Sequence, residues 1–292
     1  MSFFRYPGGK SKLRKQIFEK LHGFTQNNDV EYREPFFGGG SIGFLMLEEN
    51  KNIKKIWIND FNKGIASLWT IVKRNPELFK QKVKEFVPSV DFFYKFKKEL
   101  IEEHTELDSD EKIANYALKK LAIHQISYSG LGTKSGGPLG GRKQKSAYKV
   151  DCRWSPNYIC KKIDIIHEIF SKLSVRNNIC TSLDFSDLIN DTSCPALIYL
   201  DPPYYVKGQE LYQDGFKEED HKRLVDCLRN TKHEWVLSYD DCPEIRKYYD
   251  WANIEVINDV NYSITSTKNK ETGERKSRVK PELLIFNKSS LL

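Results

Sequence analysis

Nothing in this 292-residue sequence approaches the length of uninterrupted apolar chain that crosses a bilayer, and it does not open on a charged-then-apolar leader. Membrane-spanning and secreted classes are therefore set aside, and a cytoplasmic location is the default expectation. None of the six cysteines (Cys152, Cys160, Cys180, Cys194, Cys227, Cys242) forms a C-x-x-C pair or stands at zinc-ligand spacing from a histidine. They are read as reduced, buried thiols, with no metal. Internal repeats and low-complexity tracts are also missing. Acidic residues are scarce in two places. Between positions 132 and 162, Lys134, Arg142, Lys143, Lys145, Lys149, Arg153, Lys161 and Lys162 face Asp151 alone; between 266 and 280, Lys268, Lys270, Arg275, Lys276, Arg278 and Lys280 face only Glu271 and Glu274. The whole chain is only +7, so its positive charge is concentrated in these segments. That suits one face laid on phosphates better than general solubility.

Alternating strand and helix patterns fill most of the rest. Leu13, Ile17, Phe18 and Leu21 fall at helical spacing. VEYREPFFGGGS then reads as a strand ending in glycines, IGFLMLEEN as a helix, KKIWIND as a second strand ending in an acid, and residues 62–73 as the next helix. This is the start of a parallel sheet with crossover helices. From about 76 to 127 the pattern is helical throughout, with Ile113, Tyr116, Ala117 and Leu121 on one stripe. Residues 129–155, rich in glycine and lysine and without apolar period, predict a long loop or a loose hairpin. Alternation resumes with a helix over 156–173, a strand VRNNICTS, a short helix after Asp184, the apolar strand ALIYL, a helix over 217–230, the strand EWVLSY, and NIEVINDV with ELLIF as the last two strands. The fold class expected is α/β, a doubly wound sheet interrupted by a smaller, mainly helical and basic insertion.

The glycine turn Gly38-Gly39-Gly40-Ser41-Ile42-Gly43 fits G-x-G-x-x-G between strand and helix, with Asp60 at the end of the next strand. Glycines let backbone approach a ligand closely, and an acid at that strand tip can take both hydroxyls of a ribose. Any adenosine-containing cofactor is served by this geometry, so the turn alone leaves NAD and S-adenosylmethionine level. Asp201-Pro202-Pro203-Tyr204 breaks the tie. An unbroken D-P-P-Y arises by accident on the order of once in a thousand chains of this length, and this one directly follows a buried-type strand. Prolines stiffen the turn and fix its carbonyls. If Asp201 accepts one hydrogen of an adenine amino group and the Pro202 carbonyl the other, the nitrogen lone pair is drawn out of the ring and aimed at a sulfonium methyl. Tyr204 offers a flat face on which an extruded base can stack.

These segments resemble, in order and over nearly the whole chain, the Dam-type (D12 class, alpha group) adenine-N6 DNA methyltransferases. RYPGGK is similar to that family's N-terminal element, EPFFGGGS to its cofactor loop, INDFN to its ribose-binding acid, LDF (Leu183 to Phe185) to its adenine-contacting acid and neighbour, and DPPYY to its catalytic loop. The stretch from Tyr262 (YSITS) to Lys280, with Glu282-Leu283-Leu284, is similar to its final hairpin. The resemblance implies a Rossmann-like catalytic domain from residues 1–75 and 176–292 and a target-recognition domain at 76–175. It also implies S-adenosyl-L-methionine as methyl donor, S-adenosyl-L-homocysteine as product, and double-stranded DNA as partner. Tyr6 and Lys10 would contact the cofactor and shape the catalytic pocket, Asp60 would hold the ribose and Asp184 the cofactor's adenine, with Glu34, Phe36, Gly38, Gly40, Ser41, Phe185 and Asp201 completing the cofactor set. Tyr128-Ser129-Gly130-Leu131 resembles the Y-N-G-L that opens the family's recognition hairpin, departing from it at Ser129 and in the shift of the next basic residue to Lys134. With these, Arg142, Lys143, Lys145, Lys268, Arg275 and Lys276 are the DNA-binding candidates. A bacterial or phage-encoded enzyme acting as a monomer, with a cognate restriction endonuclease as a further partner, is the corresponding expectation.

Competing readings are transfer to cytosine N4 or to an RNA adenine, a catalytically silent DNA-binding protein on the same fold, and a nicotinamide oxidoreductase. An aspartate before P-P-Y favours adenine, an intact D-P-P-Y argues against silence, and the oxidoreductase gives that motif no role.

Overall fold

The structure, a computed structural model, describes residues 10, 13–25, 30–102, 106–176, 180–206, 216–257 and 281–287, with the backbone alone of 267–268 and 275–276. Seven strands form one sheet: β1 (Glu31–Glu34), β2 (Lys55–Ile58), β3 (Ser174–Val175), β4 (Ala196–Leu200), β5 (Glu234–Asp240), β6 (Asn253–Ile257) and β9 (Glu282–Phe286). Their spatial order is β3-β2-β1-β4-β5-β9-β6. β1 pairs in parallel with β2 (Glu31 opposite Lys55) and with β4 (Glu31 opposite Ala196). β9 runs antiparallel between β5 and β6. A two-residue ladder, β7 (Thr267–Lys268) with β8 (Arg275–Lys276), stands apart. The chain winds outward from β1 to β3 and returns to β4 beside β1. The crevice between β1 and β4 is thus the point where strand order reverses, which is where open α/β sheets place their ligands.

ALIYL of β4 is buried at every position, as its unbroken apolar run requires of a strand covered on both faces. Helices α1 (Arg14–Phe24), α2 (Ser41–Glu49) and α3 (Lys63–Arg74) follow the expected pattern, with Asn62 capping α3 through the backbone N–H groups of Gly64 and Ile65. Every residue from Gly64 to Val72 is buried. α3 is buried all round because inserted helices cover its outer side. These are α4 (Pro76–Glu85), α5 (Val90–Glu102), α6 (Asp110–Ile126) and α7 (Pro156–Ser171). Phe79, Val83, Ile113, Leu121, Ile163 and Phe170 belong to the same core as Tyr32, Ile56 and Tyr199 of the sheet. A separate cluster of Phe86, Phe93, Phe96, Ala122, Ile123, Ile126 and Val150 lies farther out, under the loop that follows α6. The remaining helices among the described residues are α8 (Phe185–Asn190), α9 (Glu218–Asn230) and α10 (Pro243–Tyr248).

Residues 129–155 form a long loop, one of the two forms expected, with two single 3-10 turns and one isolated bridge, Ser127 to Pro138. Two expectations need correction. α10 has no counterpart in the sequence reading, because six residues are too few to display a period. The cysteines are all free but not all buried, since Cys152 is exposed and Cys194 and Cys227 are half-buried. Among the described residues no helix is long and apolar enough to cross a membrane.

Candidate active site

The carboxyl ends of β1 and β4 lie side by side, so the glycine turn and the D-P-P-Y corner meet at the switch point. Gly38 (φ 49°) and Gly40 (φ 67°) adopt left-handed backbone, and Gly40 starts α2. Asp60, just beyond β2, is 7% exposed; its Oδ2 accepts the Gly38 N–H at 2.8 Å and its Oδ1 the Asn62 N–H at 2.9 Å. Trp69 Nε1 donates to the Gly38 carbonyl at 2.9 Å. One buried amide, Asn59, joins three chain ends: its Nδ2 donates to the carbonyls of Pro35 and Leu183, and its Oδ1 accepts from Leu183 N–H and Thr181 Oγ1. The turn is therefore held from beneath and from both sides before any ligand arrives.

Around it, Glu34 is buried at the end of β1, where its Oε2 accepts the Tyr32 hydroxyl at 2.7 Å. Burial pushes its carboxyl well above the ordinary range. Ser41 is half-buried in the first turn of α2. Phe36, Phe185 and Phe216 form an aromatic trio with centroids 5.5 to 5.8 Å apart. Asp184 caps α8 through the Ser186 N–H at 3.0 Å and pairs with Arg223 at 2.7 Å. Burial works against its charge, but hydrogen bonds from Ser186 and Arg223 outweigh it and hold the carboxyl below its ordinary value.

At the end of β4, Asp201 Oδ1 takes the Lys10 ammonium and, at 3.3 Å, the Ser238 hydroxyl of β5. Both described contacts use Oδ1, and the side chain keeps 22% exposure where Lys10 keeps 2%. Burial raises the Asp201 carboxyl, with Lys10 opposing and Glu282 reinforcing the shift. Burial likewise disfavours charge on Lys10, yet Asp201 and Glu282 together raise its pKa. The loop that follows is tied to β5, because Asp240 accepts the N–H groups of Tyr205 and Val206, each at 3.0 Å. Tyr204 donates its hydroxyl to Glu282 Oε1, and Lys10 Nζ lies 4.6 Å from the centroid of its ring.

Tyr128, 64% exposed, stands on a knuckle with little freedom. Its N–H bonds the Gly137 carbonyl at 3.0 Å, Gly132 N–H bonds Ser127 Oγ at 2.9 Å, and His124 Nδ1 donates to the Gly130 carbonyl at 2.9 Å. Ser129 at the tip has φ 57°. Arg142, Lys143 and Lys145 are exposed, with the Arg142 guanidinium 5.7 Å from the Tyr94 ring, and Lys134 is half-buried.

The structure thus gathers Lys10, Glu34, Phe36, Gly38, Gly40, Ser41, Asp60, Asp184, Phe185 and Asp201 to Tyr204 at the carboxyl ends of β1, β2 and β4 and the loops beside them. The candidates Tyr128, Ser129, Lys134, Arg142, Lys143 and Lys145 lie on the inserted segment. Tyr6 lies outside the described residues, and of Lys268, Arg275 and Lys276 only the backbone ladder is described. Sequence reasoning passed over Ser238 and Asp240, and quoted Glu282 within the final hairpin without giving it a place in the site. Asp240 carried a usable signal, an acid at a strand tip like Asp60; a lone serine in β5 and an acid opening ELLIF carried none.

A sequence model of the D12 class N6 adenine-specific DNA methyltransferase family matches residues 6–262. Among curated proteins, the chain is 24% identical to Type II methyltransferase M.MjaIII of Methanocaldococcus jannaschii over 78% of each chain. It is 22% identical to Type II methyltransferase M1.LlaDCHI of Lactococcus lactis subsp. cremoris, over 87% of this chain and 86% of that one. The family match runs from the N-terminal lysine element through the glycine turn and the D-P-P-Y corner, and on this extent the protein belongs to the D12 class of N6 adenine-specific DNA methyltransferases.

Proposed function

We propose that this enzyme takes the methyl group of S-adenosyl-L-methionine to N6 of an adenine extruded from duplex DNA. The observation that carries the reading is the Asp201 corner: Oδ1 is anchored by Lys10 and Ser238, while the side chain keeps 22% exposure. A carboxylate so held accepts a hydrogen bond from an amine at a fixed angle, and the Pro202 carbonyl, fixed by the adjoining Pro203, is suited to accept the second. The amine is then no longer planar with its ring, and its lone pair is directed. Tyr204 supplies the stacking face.

The residues present fit the donor. The Gly38 to Gly40 backbone would give close approach, the Asp60 carboxylate bonded to that turn would take the ribose hydroxyls, and the packed rings of Phe36 and Phe185 offer an aromatic wall for a flat group. When bound, that donor supplies a sulfonium methyl; orientation of the amine and exclusion of water from it fall to the protein. Residues 76–175 form the target-recognition segment in this reading, with Tyr128 on its rigid knuckle probing the stack and Arg142, Lys143 and Lys145 on phosphates. The names of the two relatives extend the proposal to a modification enzyme partnered with a restriction endonuclease.

The test is transfer of labelled methyl from S-adenosylmethionine. Label is expected in duplex DNA; label confined to the protein or to RNA would contradict the proposal.

A further inference from the structure

Glu282 is 1% exposed and opens β9, the strand wedged antiparallel between β5 and β6. A buried carboxylate is tolerated only where charge and hydrogen bonds compensate its lost hydration. Here the compensation comes from the candidate active site. Glu282 Oε1 accepts the Tyr204 hydroxyl and lies 3.4 Å from Lys10 Nζ, the same ammonium that bonds Asp201. Residues far apart in sequence, 10, 201, 204 and 282, close into one polar circuit around the corner.

We propose that Glu282 is a positioning residue for methyl transfer: its carboxylate fixes the outer edge of the Tyr204 ring and shares the Lys10 ammonium with Asp201, and so sets both the stacking face and the acceptor strength of that aspartate. The inference rests on the reading of Asp201 as acceptor of the target amine. Two consequences follow. A ring held at its hydroxyl by a buried acceptor keeps its face at a constant tilt. An ammonium divided between two carboxylates neutralises each less than a dedicated one would, so Asp201 remains a stronger acceptor and is more readily protonated. Among the described residues the groups that face Asp201 are Lys10 ahead of α1, Glu34 of β1, Tyr199 of β4, Ser238 and Tyr239 of β5 and Glu282 of β9. Of these, Glu282 is the carboxylate that competes directly for the cation.

Steady-state kinetics of full-length Glu282→Gln across pH test the proposal, with Tyr204→Phe and Asp201→Ala in parallel. Glutamine keeps the size and an acceptor for the tyrosine but not the charge. kcat is expected to fall about tenfold while KM for DNA and for the methyl donor stays within about twofold. The acid limb of the kcat profile should move to lower pH, because a negative neighbour that raised Asp201 is gone. Tyr204→Phe should lower kcat with that limb unmoved, and the double variant should fall short of the sum of the singles. Wild-type kcat with an unmoved limb in Glu282→Gln overturns the proposal. Should that variant fail to fold, wild-type kcat in Tyr204→Phe overturns it instead. An active Asp201→Ala would defeat the underlying reading, a separate outcome.

Discussion

Ser129 holds φ 57° and ψ 8°, a backbone conformation that side chains other than glycine and asparagine adopt at a penalty. The resembling motif has asparagine here, and the structure supplies the reason: the knuckle needs a left-handed residue between Tyr128 and Gly130, whose own φ is 72°. The departure from Y-N-G-L is therefore first a matter of backbone strain, whatever it does to target choice. Ser129→Gly is expected to raise stability by about 0.5 to 1 kcal/mol, and Ser129→Val to lower it by a similar or larger amount. Thermal unfolding of the two variants checks this, and a Tm for the glycine variant below wild type would refute the strain argument. Tyr128 is 64% exposed, and repairing the knuckle at Ser129 leaves its ring in place.

The strand, turn and helix from residue 31 to 49 were legible because two periods and a glycine cluster agree with one another. What the sequence could not reveal is how closely the turn is packed. A Cβ on Gly40 would come within 2.8 Å of the Phe37 ring and would also meet Phe44, on top of a φ of 67°. Gly40→Ala should accordingly destabilise the fold by about 2 kcal/mol or more and raise KM for the methyl donor more than KM for DNA; an alanine variant with unchanged Tm and donor affinity would show that the turn is looser than described. The direction of β9 was hidden for a different reason. ELLIF is apolar at four of its five positions and buried throughout, so its pattern carries neither orientation nor neighbour. Only tertiary pairing with β5 and β6 brings Glu282 to the corner, and no local signal could have found it. The short α10 was missed for want of length, while α3, capped by Asn62 and rich in apolar residues, could be read from Asn62 to Lys73.

Across the whole molecule, three of the four inserted helices contribute to the main core. α4, α6 and α7 bury residues against the sheet's own apolar cluster, and the segment under the basic loop has a small cluster of its own. The loop bearing Arg142, Lys143 and Lys145 is thereby carried on helices fixed to the catalytic sheet. Neutralising these three exposed cations should weaken DNA binding and lower the slope of log K against log salt by roughly one for each phosphate that no longer meets a cation. Filter or anisotropy titrations at several salt concentrations measure that slope, and an unchanged slope would place the loop off the DNA. The charge pattern behind this prediction was visible in sequence as a deficit of acids; that Arg142, Lys143 and Lys145 are all exposed needed the fold.

A DNA adenine methyltransferase with its acceptor at Asp201 stands or falls on which atom receives the methyl group. Nucleoside mass spectrometry of duplex DNA treated with the enzyme and S-adenosylmethionine should find N6-methyladenine as the product, and none with Asp201→Ala at matched folding. N4-methylcytosine as the product, or undiminished N6-methyladenine from the alanine variant, would contradict the account.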